Sequence, residues 1–326
     1  MTVPAPFRPL VTPRHRALFR TSCLGLVLQI LSACGDAPSQ PTADQWGPWS
    51  PPIRMNVVNS SSSDNQPVLS PDQLSLYFAS GRAGGLGGND IWVSRRPSIT
   101  SEWQTPVNLG APVNSASDDQ APGFSRSGHL LFFQSTRPGG FGQQDVYVSR
   151  RSRVDDDRGW EAPNNVGPDL NTALYEAGPM YLGVEGAPTQ LYFARGRTPA
   201  DVEMWTVPID SNGRARGSAQ PLVELNFPDS LGTDARSTVS RDGRELLYFS
   251  DRPGGLGLAD LYVSTRQDVT SRWRSPVNVG PTLNTEFRDA QPQLSSDDAT
   301  IVFSSGRPGG AGGTDMYYST RTRVPR

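Results

Sequence analysis

Three charged positions recur along this chain at a spacing that could assemble a polar site. An acid stands before a short strand at Asp64, Asp119, Glu176, Asp234 and Asp289. An arginine follows an aromatic run at Arg82, Arg137, Arg197, Arg252 and Arg307, every 55 to 60 residues. A second acid opens the next strand at Asp90, Asp145, Glu203, Asp260 and Asp315. Arginine flanked by carboxylates forms charge-assisted hydrogen bonds, so the plain reading is a set of clamps that fix loops. The sharper reading takes the first acids and the arginines as a binding face at a channel mouth, for a cation, a sugar or a partner's charged side chains. Presence in every repeat argues for architecture before chemistry.

Other chemistry is thinner. Glycoside hydrolysis needs two carboxylates flanking a sugar bond, and acids at repeated positions single out no pair. The glycine loops, such as Gly84-Gly85-Leu86-Gly87-Gly88, are followed by neither Gly-Lys-Ser/Thr nor a helix, so they are not phosphate loops. No Gly-x-Ser-x-Gly elbow occurs. His129, in a turn entering a strand, is the one histidine beyond residue 33. One histidine and one cysteine make no transition-metal cluster, and no metal or cofactor is expected. Asp155-Asp156-Asp157 reads as a solvated loop.

The elements that must position these charges form five repeats. Each contains an aromatic strand: Leu76-Tyr77-Phe78, Leu131-Phe132-Phe133, Leu191-Tyr192-Phe193, Leu247-Tyr248-Phe249 and Ile301-Val302-Phe303. In the first repeat an inner strand, Gln66 to Leu69, runs into Ser70-Pro71-Asp72-Gln73, residues that favour a tight turn. The aromatic strand follows, then a glycine loop and the strand Asp90-Ile91-Trp92-Val93. A fourth strand is expected over Trp103 to Val107, echoed by Trp160 to Asn164 and Trp273 to Val277. Four-stranded units repeated radially make a propeller. The fifth repeat lacks its Trp-x-x-Pro strand, and Trp49-Ser50-Pro51-Pro52-Ile53 supplies one at the other end. The fold class is therefore all-β, a five-bladed β-propeller of four-stranded blades closed by its N-terminal strand.

The Ser-Pro-Asp turn, the Tyr-Phe-x-Ser-x-Arg strand and the Asp-Ile-Trp strand resemble the WD40-like, TolB-type propeller repeat of periplasmic and surface proteins. The resemblance spans about residues 46 to 321. Repeat three departs from it, since Arg197-Thr198-Pro199-Ala200 replaces the glycine loop.

The N-terminus reads as a targeting segment. Arg8, Arg14, Arg16 and Arg20 precede the apolar run Leu24 to Leu31, too short to anchor the chain. Leu31-Ser32-Ala33-Cys34 resembles the lipobox of bacterial lipoproteins, which implies acylation of Cys34. Residues 1–33 are then the signal peptide, 34–45 a flexible tether and 46–326 the propeller. Cleavage would leave 26 arginines against 32 acids and no pair of cysteines, so stability must come from packing. That charge also excludes a nucleic-acid footprint.

The expected protein is a monomer in the cell envelope, held by lipid alone; by resemblance to enteric lipoproteins, Gly35 after the cysteine favours the outer membrane. Its expected role is a scaffold that binds an envelope protein or a glycan, and not an enzyme. The alternative is a carboxylate-dependent, glycosidase-like enzyme acting on glycans.

Overall fold

A computed structural model describes residues 46–227 and 232–324. The signal, Cys34 and the tether lie outside the described residues. Strand β1 (Ile53–Arg54) comes first in the chain but last in the ring. Blade 1 comprises β2 (Asp64–Leu69), β3 (Ser75–Ser80), β4 (Asp90–Arg95) and β5 (Val107–Asn108). Blade 2 comprises β6 (Asp119–Phe124), β7 (Leu130–Ser135), β8 (Asp145–Arg150) and β9 (Asn164–Asn165). Blade 3 comprises β10 (Tyr175–Leu182), β11 (Gln190–Gly196), β12 (Glu203–Pro208) and β13 (Gln220–Pro221). Blade 4 comprises β14 (Asp234–Val239), β15 (Glu245–Ser250), β16 (Asp260–Thr265) and β17 (Val277–Asn278). Blade 5 comprises β18 (Asp289–Leu294), β19 (Thr300–Ser305) and β20 (Asp315–Thr320), with β1 as its outer strand.

All sheets are antiparallel, and no helix occurs among the described residues. Five buried apolar clusters hold the ring, one centred on each interface between blades. Blades 5 and 1 meet through Val302 and Met316 on one side and Leu76 and Phe78 on the other, with Met55 and Val58 of the N-terminal segment between them. Closure is thus both a strand pairing, Ile53 opposite Tyr318 and Arg54 opposite Tyr317, and a shared core.

The outer strands correct the expectation. Each is two residues long and begins near where the sequence places its end, as at Val107 in blade 1. The proline before it, Pro106 or Pro276, has no N–H to give a ladder. The tryptophans are held by arginine instead: Arg96 lies 4.4 Å over Trp103, Arg151 4.5 Å over Trp160, Arg266 4.2 Å over Trp273 and Arg321 4.4 Å over Trp49.

A second correction concerns the run Asp155-Asp156-Asp157. Asp157 is buried, not solvated. It accepts from Ser75 Oγ and Tyr77 Oη in blade 1, each at 2.8 Å, and from Arg151 at 2.9 Å, and it also pairs with Arg95. The loop after β8 thereby latches blade 2 to blade 1.

Each inner strand carries a bulge. The register of β2, β6, β10, β14 and β18 shifts at a residue with positive φ: Gln66 (55°), Ala121 (55°), Gly178 (58°), Arg236 (55°) and Gln291 (60°). A non-glycine residue in this left-handed region costs of order 1 kcal/mol or more. Side chains from other blades catch the freed amides. Gln291 Oε1 accepts from Gln66 N at 3.0 Å, Gln66 Oε1 from Ala121 N at 2.9 Å and Gln134 Oε1 from Gly178 N at 2.8 Å.

Ring closure predicts that a chain beginning at Val57, stripped of Trp49 and β1, loses several kcal/mol, comparable with the stability of a whole domain. It should aggregate through the exposed edge of β20. Size-exclusion chromatography and thermal melting check this; a monomer melting like the intact chain would refute it.

Candidate functional site

The repeated charges sit at the end of the channel where the inner strands begin. The first acid of each repeat stands at the head of its inner strand, first in four blades and second, as Glu176, in blade 3, and is almost fully buried, between 0% and 3% exposed. In blade 2, Asp119 Oδ2 accepts from Ser115 N at 2.6 Å and Ser115 Oγ at 2.7 Å, while Oδ1 takes Arg137 at 2.6 Å. The same guanidinium donates to Val113 O at 2.6 Å and lies over the rings of Phe133 and Tyr147. Asp64 with Arg82, Asp234 with Arg252 and Asp289 with Arg307 repeat this arrangement. Both carboxylate oxygens are thus engaged within the blade, and burial withdraws them from a ligand in the channel.

Blade 3 corrects the arginine assignment. Glu176 pairs with Arg195 at 3.0 Å, whereas Arg197 is exposed and pairs with Asp201 at 3.2 Å. The other four arginines brace Nε on a serine two residues back: Ser80, Ser135, Ser250 and Ser305. Blade 3 has Arg195 at that serine position, and the longer side chain of Glu176 meets it there. Burial raises the pKa of Glu176.

The second acids do not pair with these arginines. Four of them, Asp90, Asp145, Asp260 and Asp315, close glycine loops: Asp145 accepts from Phe141 N at 2.6 Å, Gly142 N at 3.2 Å and Asn165 Nδ2 at 2.8 Å. A Cβ on Gly140 would lie 2.2 Å from that carboxylate, which is why this loop needs glycine there. Among the described residues, no three His, Cys, Asp or Glu side chains converge as a metal site would require.

What the repeat does not explain lies on the channel axis. Arg236, the bulge residue of β14, sends Nη2 across the ring to Gln66 O at 3.1 Å in blade 1 and Pro122 O at 3.0 Å in blade 2. The channel is therefore divided. On the loop side is a cavity of about 190 Å³ lined by Gln66, Gln134, Tyr175, Arg236, Arg288 and Gln291 among others. On the turn side is one of about 330 Å³, walled by all five blades through Leu69, Phe124, Met180, Val239 and Leu294.

Asp298 lines the turn-side cavity. It occupies a left-handed turn position, φ 62°, where blades 1, 2 and 4 carry Gln73, Gly128 and Gly243. Its two oxygens accept from the Arg241 amide at 2.9 and 3.1 Å. Burial, helped by the charges of Asp242 and Glu245, pushes its pKa up to about 6, against the opposing pull of the Arg241 amide and Arg321. Asp242 is exposed, with Oδ1 held by Ser240 Oγ at 2.6 Å and Arg244 N at 3.0 Å. Two neighbouring carboxyls, one buried and one exposed, are the arrangement from which acid–base pairs are built. Sequence reading passed over both because Ser240-Arg241-Asp242-Gly243 and Ser295-Ser296-Asp297-Asp298 look like turns.

No family model and no curated protein matches the sequence. Solved structures do match its fold. An α-L-arabinofuranosidase from Lactobacillus brevis aligns over 82% of this chain and 94% of its own, with 9% identity and a TM-score of 0.53. A thermostable family-43 glycoside hydrolase aligns over 84% and 93%, with 9% identity and a TM-score of 0.54. An α-L-arabinofuranosidase from Podospora anserina, solved with cellotriose, aligns over 86% and 97%, with 13% identity and a TM-score of 0.50. These likenesses are of fold. The matching propellers are by name glycoside hydrolases and not binding scaffolds, which runs against the expectation of a scaffold.

The blade 3 correction is testable. Arg195→Ala should destabilise the protein by about 3 kcal/mol, the cost of leaving a buried acid unpaired. Arg197→Ala should leave the melting temperature unchanged. Equal effects, measured by denaturant unfolding, would restore Arg197 as the structural arginine.

Proposed function

We propose that this propeller hydrolyses glycosidic bonds, using carboxyl groups at the turn-side mouth of its channel. The observation that carries the reading is Asp298, a buried carboxyl at a cavity wall. It replaces the glycine or glutamine of other blades and is held protonated at mildly acidic pH. A carboxylic acid with a raised pKa can protonate a leaving glycosidic oxygen. Asp242 follows the residue whose amide Asp298 accepts from, and its exposed carboxylate is the candidate for base or nucleophile. Arg126 and Arg241 also line the cavity and offer donors to sugar hydroxyls. The arabinofuranosidases of similar fold make arabinose-containing glycans the first substrates to test.

The ten repeated acids and arginines of the loop-side face have no part in this reading. The resemblance to TolB-type repeats and the lipobox ending at Cys34 would place such an enzyme in the cell envelope on a lipid-anchored chain.

Turnover should be measured on arabinan, arabinoxylan and xylan oligosaccharides. Asp298→Asn should lower kcat by about 100- to 10,000-fold, the usual worth of a general acid, with the melting temperature retained. Asp298 acts in its protonated form, so kcat should fall as pH rises through about 6. Absence of turnover on every substrate, or full activity in the Asn variant, would refute the reading.

A further inference from the structure

The loop-side cavity carries a charge that nothing there neutralises. Arg236 is 7% exposed and forms no ion pair among the described residues. It donates to two backbone carbonyls, and burial pushes its pKa down to about 9. It stays a cation at neutral pH, one that has lost its hydration without gaining a counter-charge. Arg288, just before β18, is the second cation at this wall. Its guanidinium lies 5.0 Å over the ring of Phe249, and its outer side is exposed. Asp251 is near enough to be felt by Arg288, yet its Oδ1 accepts from Thr233 N at 2.6 Å. No carboxylate lines the cavity among the described residues.

The remaining polar wall consists of hydrogen-bond donors in fixed orientation. The side-chain oxygens of Gln66, Gln134 and Gln291 are each bound to a bulge amide, so each must turn its NH₂ away from that contact. Phe249, Val202 and Ala177 supply an apolar side. Guanidinium groups match the planar geometry of a carboxylate. Amides and the hydroxyls of Tyr175 and Thr233 match sugar hydroxyls, and the apolar side matches a sugar's C–H groups.

We infer that this cavity, formed by Arg236, Arg288 and the glutamine amides, binds the carboxylate and hydroxyls of a sugar acid such as a uronate. The repeat does not require it. At the bulge position Arg236 stands where blades 2 and 3 have Ala121 and Gly178, and those blades close without an arginine. The site is distinct from the Asp298 mouth and needs no bond cleavage, so it stands or falls separately from the hydrolase reading.

The test is calorimetric titration of the full chain with glucuronate, galacturonate, arabinose, xylose and inorganic phosphate. The sugar acids should bind, weaken with added salt, and raise the melting temperature. Neutral sugars should bind at least tenfold more weakly. Arg288→Gln, at the exposed rim, should weaken sugar-acid binding at least tenfold and leave the melting temperature of the free protein unchanged. Arg236→Gln removes the central contact but disturbs the channel, so the rim variant decides. Equal binding of arabinose, phosphate binding as tight as uronate, undiminished binding by the Arg288 variant, or no binding at all would each overturn the assignment.

Discussion

The structure depends on burying a charge five times and answering it each time within the blade. An acid at the head of each inner strand is withdrawn almost wholly from water, a position that would be ruinous unpaired. Its arginine arrives from the end of the second strand, stacked on that strand's aromatic rings, and also holds the carbonyl of the loop leading into the blade. One side chain thus fixes three things: the start of the first strand, the end of the second and the connection from the blade before. The apolar clusters between blades supply most of the cohesion, but they are non-directional. The clamps give the blades their angular register around the axis.

Repetition also separates structure from chemistry. Whatever occurs in all five blades is spent on holding them, as the engaged oxygens of Asp119 illustrate. What occurs once is free to serve something else. Arg236 and Asp298 both sit at backbone positions of positive φ that other blades fill with smaller or uncharged residues. A strained position occupied by a desolvated charge adds cost to cost. Local stability would favour the glycine of a neighbouring blade.

The fold was legible because a propeller writes its period into the chain. Aromatic strands, serine-rich turns and glycine loops recur, and the missing outer strand at one end matched a surplus one at the other. Errors came where local type and spatial role diverge. Arg197 aligns with the other arginines by sequence, yet without a serine beneath it, it has nothing to lean on, and Arg195 takes its place. The third aspartate of Asp155-Asp156-Asp157 reads as surface, but Tyr77 and Ser75 in a different blade draw it inward. No local signal marks Arg236, because its partners are 170 and 114 residues away. The scaffold reading followed from finding no distinctive acid pair, which is a statement about repeated acids. Asp298 and Asp242 were hidden inside turn chemistry.

Arg236 has one more effect, on traffic. Its guanidinium spans from β14 to β2 and β6, so the axis of the ring is a pair of blind cups set base to base. A polymer cannot be threaded through such a molecule. Whatever enters one cup must leave by the door it entered.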